Sequence, residues 1–238
     1  MTNKPLPIIK IMSDYINTWW TIMVRPIYFY TKLREEDWKE NALTFLLSTS
    51  WILAFLAALI VFLIQYLPIG ATLIEGVAGL KLIIILPVLF TLALVFFLIT
   101  FFIIGGLMIL GFFAMFAVVA VILHYTFTIL GGKGRLERVL QKSFYSAAII
   151  LFFAFLLILM LFTKYGGLDF HLFRVGFELI WFFTVLYGYG LWAIAGRKAY
   201  GIPKWKAFVG ALVPAICLLI FGLAFDKIAL SKLRPWIS

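Results

Sequence analysis

Residues 123 to 148 read LHYTFTILGGKGRLERVLQKSFYSAA, and this stretch decides the fold. It leaves one long apolar run and enters another. Between the two, Gly131, Gly132 and Gly134 lack the side chains that disfavour positive φ, so the chain can reverse tightly. Lys133, Arg135, Arg138 and Lys142 stand there against the single acid Glu137. Cations this close to hydrophobic segments hold a loop on the cytoplasmic side of a bilayer. The stretch therefore reads as a cytoplasmic hinge between membrane-spanning helices, and the rest of the topology is counted from it.

The 238 residues are 65% hydrophobic and 13% charged, whereas a soluble domain carries about 45–50% and about 25%. Runs longer than the roughly 18 residues needed to cross hydrocarbon recur along the chain. A β-barrel would alternate apolar and polar residues, and LKLIIILPVLFTLALVFFLITFFIIGG (80–106) does not. The composition therefore describes an all-α integral membrane protein. The net charge of +10 comes from cation clusters between spans, which topology and anionic lipid head groups account for, so no nucleic-acid partner is expected. Cys217 is the one cysteine and lies in the last apolar run, which excludes an internal disulfide and a cysteine-built zinc cage. No metal or cofactor is expected. No cleavable signal peptide is expected either, so the first span would serve as the insertion signal.

Residues 1–41 form a polar cytoplasmic N-terminal region. Ile8, Met12, Ile16, Trp19 and Met23 recur at helical spacing with Lys10, Asp14, Asn17 and Thr21 between them. The pattern predicts an amphipathic helix in the interface, with Trp19 and Trp20 at head-group depth; packing against the rest of the protein is the alternative. Pro26 should end or kink that helix. The run Arg34 to Glu40 leads into the first span as a charged turn.

Residues 42–225 form the transmembrane domain, and 226–238 a short tail. The first span covers about Ala42 to Tyr66. From Leu82 to Leu123 no residue is charged, a length of about 60 Å as helix, roughly twice the hydrocarbon thickness. A turn at Gly105-Gly106 would give six spans, with eleven cations inside and nine outside. A single crossing would give five spans, with fourteen inside and six outside. The positive-inside rule prefers five. We therefore expect a bundle of five crossings, N-terminus cytoplasmic and C-terminus outside. Leu82 to about Ile99 would be an extra re-entrant or interfacial segment, broken at Pro87. The remaining spans run over about Ser143–Phe162, Phe173–Ala195 and Ala207–Phe225, with a second cationic loop at Gly196 to Lys206.

Few residues offer chemistry. Glu178 lies in an apolar run, where an acid costs about 3 kcal/mol near the bilayer centre. Arg174 stands one turn before it and His171 on the same helical face. The group is either proton- or ion-responsive or an ion pair near the outer interface, and the second reading is preferred. His124 is by residue type a candidate pH sensor or metal ligand, yet with few possible zinc ligands a structural histidine is expected. GGKGR (131–135) lacks the spacing and the preceding strand of a phosphate loop. Its cations, with Arg138, Lys142, Arg197 and Lys198, are expected to meet lipid head groups. Gly188, Gly190 and Gly196 suit close helix packing. No triad or paired-carboxylate set is present in the pattern, so no catalysis is expected.

Pro26 followed by Tyr28 and Phe29, His124 followed by Leu130-Gly131-Gly132-Lys133-Gly134, Phe144-Tyr145-Ser146-Ala147, Gly190-Leu191 and Lys206-Ala207 together resemble the Yip-domain family of Ypt-interacting membrane proteins. The resemblance covers roughly residues 20 to 225. It implies five transmembrane helices, a cytoplasmic N-terminus and an interaction role. Eukaryotic members are tied to Rab GTPases and vesicle budding through a long N-terminal region. That region is about forty residues here, and the chain is similar to the short bacterial members. The expected function is a membrane scaffold or adaptor in the bacterial plasma membrane, binding membrane lipids and a membrane-protein partner or a second copy of itself. A small transporter or channel subunit using Glu178 and Arg174 is the alternative.

Overall fold

The computed structural model describes residues 7–35, 37–75 and 80–237. Every regular element among them is helical. Helix α1 (Pro7–Val24) and α2 (Pro26–Lys32) precede α3 (Asn41–Val61), which passes through a π-helical turn at Phe62–Tyr66 into α4 (Leu67–Glu75). Helix α5 (Leu80–Ile129) is followed by α6 (Leu136–Tyr145), a 3₁₀ segment (Ser146–Phe152) and α7 (Phe153–Lys164). Helices α8 (Phe170–Tyr200), α9 (Lys204–Phe225) and α10 (Ser231–Ile237) complete the chain, with a π-helical turn at Asp226–Leu230. Among the described residues, five helical stretches are long and apolar enough to cross a membrane: Asn41–Glu75, Ile83–Ile129, Leu136–Lys164, Phe170–Tyr200 and Lys204–Leu230. The chain is thus a multi-pass all-α membrane protein.

The charge-free run resolves differently from expectation. Helix α5 is continuous over 50 residues, about 75 Å at 1.5 Å per residue. Leu82 to Ile99 is therefore not a separate element but the first part of the second crossing helix. Pro87 lies inside α5 without breaking it. A proline removes one backbone bond, whereas ending a helix in an apolar setting strands several polar groups with no water to receive them. Gly105-Gly106 is helical as well. A Cβ at Gly105 would collide with the Trp51 ring, so this glycine is a notch for a neighbouring indole and not a turn.

Two compact units are distinguishable. The first comprises Met1–Thr49, Phe112–Ile150 and Phe182–Phe221. Phe116, Leu123, Phe127, Phe144 and Trp192 are buried there. Phe127 fits because Gly196 and Gly210 leave room for its ring. Small residues of this kind let helices approach closely, which matters because helix association in lipid rests on packing and not on the hydrophobic effect. Helix α1 docks here along Tyr15, Trp19 and Ile22: Tyr15 shares a 3.0 Å hydrogen bond with Thr49, and the Trp19 indole donates to the Ala148 carbonyl at 3.0 Å. Met12, Ile16, Trp20 and Val24 follow at one-turn spacing and stay exposed, an apolar flank suited to the interface. One face of α1 is thus packed and the next is open. The side chains of Ile8 and Lys10 lie outside the described residues.

The second unit comprises Ser50–Gly111, Leu151–Trp181 and Gly222–Ser238. Here α3 and α5 run antiparallel and are joined by rings. Trp51 lies 5.0 Å from Phe101, Phe55 5.9 Å from Phe97, and Tyr66 stacks on Phe96 at 5.5 Å. A separate cluster joins Phe173, Phe177 and Leu230.

Candidate functional site

The hinge at 131–134 is built from glycines with specific duties. At the end of α5, Gly132 N–H donates to the Phe127 carbonyl and Gly131 N–H to that of Thr128, the paired bonds that close a helix C-terminus. The motif needs a left-handed residue, and Gly131 supplies it with φ +88°. Gly132 and Gly134 serve a different need, since a Cβ on either would strike Tyr200. The Tyr200 hydroxyl hydrogen-bonds His124 Nδ1. His124 is thereby joined to the end of α8 in the manner of a structural histidine. The Lys206 ammonium donates to the Leu130 carbonyl at 2.8 Å, placing a cation on an open helix C-terminus.

The N-terminal segment meets the same region. The Arg138 guanidinium pairs with Glu35 at 2.6 Å, and Gln141 donates to the Arg34 carbonyl at 2.9 Å. Glu35, Asp37, Trp38, Arg135, Glu137 and Arg138 line a polar hollow of about 350 Å³. Of the cations expected at lipid head groups, Lys133, Arg135, Arg197 and Lys198 are exposed and Arg138 is half-buried. Lys142 is only 8% exposed, so its side chain sits within the unit. The amphipathic helix α6 turns this residue inward, which a count of loop cations does not reveal.

The residues behind the family resemblance also come together. Pro26 opens α2 at its first turn, where its missing N–H costs no intrahelical bond. Phe29 then packs edge-on against Tyr145 at 5.1 Å, and Phe45 lies 5.5 Å from the same ring. Tyr30 is buried with its hydroxyl donating to the Lys142 carbonyl at 3.3 Å, and burial pushes its ionisation upward. Ser146 receives the indole N–H of Trp192 at 2.8 Å and donates to the Ser143 carbonyl at 2.6 Å. These contacts make a densely fastened end.

A Yip1 domain model matches residues 20–225. The chain belongs to the Yip1 family. No curated protein and no solved structure matches it. In this Yip1-family chain, Pro26, Phe29 and Tyr145 lie where α2 meets α6, and Gly132 and Gly134 where the end of α5 meets Tyr200 of α8.

The embedded acid belongs to the second unit. Arg174 lies 3.7 Å from Glu178, but its principal partner is Asp226. Arg174 Nε donates to Asp226 Oδ1 at 2.7 Å, and its terminal nitrogen donates to Oδ2. Two parallel charge-assisted bonds are stronger and more directional than a single contact. Asp226 is 4% exposed, whereas Arg174 and Glu178 are each nearly half exposed. In sequence Asp226 merely opens the polar tail, with nothing local to mark it as a partner of Arg174. Its position directly after the apolar run ending at Phe225 was the available signal. Asp169 caps α8 by accepting the Leu172 N–H at 2.7 Å. Among the described residues, no three histidine, cysteine, aspartate or glutamate side chains are arranged to hold a metal ion.

Proposed function

We propose that this Yip1-family chain is a scaffold or adaptor of the bacterial plasma membrane, working by contact with other membrane proteins and with the bilayer and not by catalysis. The observation that carries the reading is the surface of α5. Between Ile83 and Leu110 its exposed side chains include Ile84, Phe90, Phe102 and Leu107, with Ile84 72% and Phe90 71% open. A helix apolar on all sides needs an apolar environment on all sides. Its length of about 75 Å exceeds the roughly 30 Å of hydrocarbon. That surplus supports a role in gripping partner helices or deforming the bilayer, since mismatch is relieved by tilt, local thickening or association. The Arg174–Asp226 pair supports the same reading, because the two charges are engaged with each other between α8 and the turn after α9.

The test is site-specific photocrosslinking from Phe90, Phe102 and Leu107 in native membranes. The reading expects a discrete protein adduct that survives mild-detergent purification. Lipid adducts alone, together with ion flux by the purified chain in liposomes, would overturn it in favour of a channel or transporter.

A further inference from the structure

On the first unit, α8 carries an apolar furrow beside the start of α2. Gly190 forms its floor, and a Cβ there would meet nothing within 4 Å. Phe183, Leu186 and Ile194 line it as well, and the space is about 300 Å³. Pro26 closes one end. Pro26 and Ile194 also line a second hollow, together with Arg25, Tyr28 and Lys32. The joint is held in place because the Tyr187 hydroxyl donates to the Met23 carbonyl. The Lys32 ammonium donates to the Tyr28 hydroxyl at 3.0 Å. Among the described residues, no carboxylate lies within ion-pair distance of Arg25 or Lys32.

We propose that this is a binding site for one anionic phospholipid, with an acyl chain in the Gly190 furrow and the phosphate between Arg25 and Lys32. Charge complementarity selects this occupant. An apolar trough beside two cations that have no counter-ion among the described residues matches a molecule with an apolar tail and an anionic head. The physics also says which half gives selectivity. An acyl chain leaving the bilayer for an apolar furrow exchanges one hydrocarbon surrounding for another, so the tail gains little beyond packing contacts. Discrimination therefore rests on the head group, and a cation near the membrane surface favours an anionic lipid by a factor of about five. The furrow's role is to fix the lipid's position, so that the phosphate falls between the two cations.

Native mass spectrometry of the full chain in mild detergent tests this, with phosphatidylglycerol and phosphatidylcholine of matched acyl chains as probes. We expect phosphatidylglycerol to be retained in preference. Arg25→Gln and Lys32→Gln should each lower the ratio of the two adducts about fivefold. Gly190→Leu should abolish the bound lipid, whereas Gly106→Leu, at another helical glycine whose Cβ would meet open space, should leave it unchanged. Equal retention of the two lipids, or full retention by Gly190→Leu, would overturn the proposal. An altered number of chains per particle in Gly190→Leu, with lipid unchanged, would place a second copy in the furrow and also overturn it. Arg25 and Lys32 are exposed, so their variants decide the question even if Gly190→Leu does not fold.

Discussion

Arg174 and Asp226, 52 residues apart in sequence, meet in a two-pronged ion pair that fastens the start of α8 to the turn after α9. Asp226 is the buried member and Arg174 the half-exposed one. Removing either partner breaks both bonds, and removal of the arginine strands a carboxylate inside. Glu178 stands farther away and is open to its surroundings. Asp226→Asn and Arg174→Gln should therefore lower the thermal midpoint in detergent clearly more than Glu178→Gln does. A Glu178 variant as damaging as the Asp226 variant would show that the acid has a role this geometry does not explain.

Two adjacent glycines should respond oppositely to a methyl group. At Gly105 the new Cβ would meet the Trp51 ring, whereas at Gly106 it would meet open space. Gly105→Ala is expected to cost about 1–3 kcal/mol through overpacking, while Gly106→Ala is expected to be neutral or to stabilise by about 0.4–1 kcal/mol. Denaturation of the two variants in one detergent measures the difference. If Gly105-Gly106 were a turn, both substitutions would be damaging.

Tyr30 predicts a dependence on alkaline pH. Its burial raises the folded-state ionisation above the unfolded value, with the Tyr187 and Tyr145 phenols adding to the effect. The folded chain then holds this proton more tightly than the unfolded chain does. The associated stability is intact below the unfolded tyrosine value of about 10 and declines as pH rises above it. Thermal midpoints followed to high pH should fall less steeply in Tyr30→Phe than in the unaltered chain. Equal slopes would remove Tyr30 as the cause.

Much of the architecture was legible in the residues themselves. Long apolar runs marked the spans and the distribution of cations chose five over six, and the glycine-marked hinge at 131–134 announced a turn because a helix closed by a left-handed residue favours glycine. The 50-residue α5 was harder to read. Pro87 and Gly105-Gly106 are helix breakers by local propensity, but in an apolar setting the backbone's need for internal hydrogen bonds outweighs propensity. Asp226 was missed because its partner lies far away in sequence, and Lys142 because a tally of loop cations carries no information on which way a helix face turns. The tyrosine that gives Gly132 and Gly134 their purpose sits on another helix, so the glycines could be read as flexible but not as seats for Tyr200.

The central claim is that the cationic ends form one cytoplasmic face and that the chain crosses the bilayer five times. It is tested most directly by labelling single cysteines with a membrane-impermeant maleimide in intact cells, in a chain whose exposed Cys217 has been replaced by alanine. Lys133→Cys stands in the hinge and Ser231→Cys at the start of α10, and both positions are exposed. The account predicts that Ser231→Cys is labelled from outside and Lys133→Cys only after the cells are opened. Labelling of Lys133→Cys in intact cells, or protection of Ser231→Cys until they are opened, would contradict it.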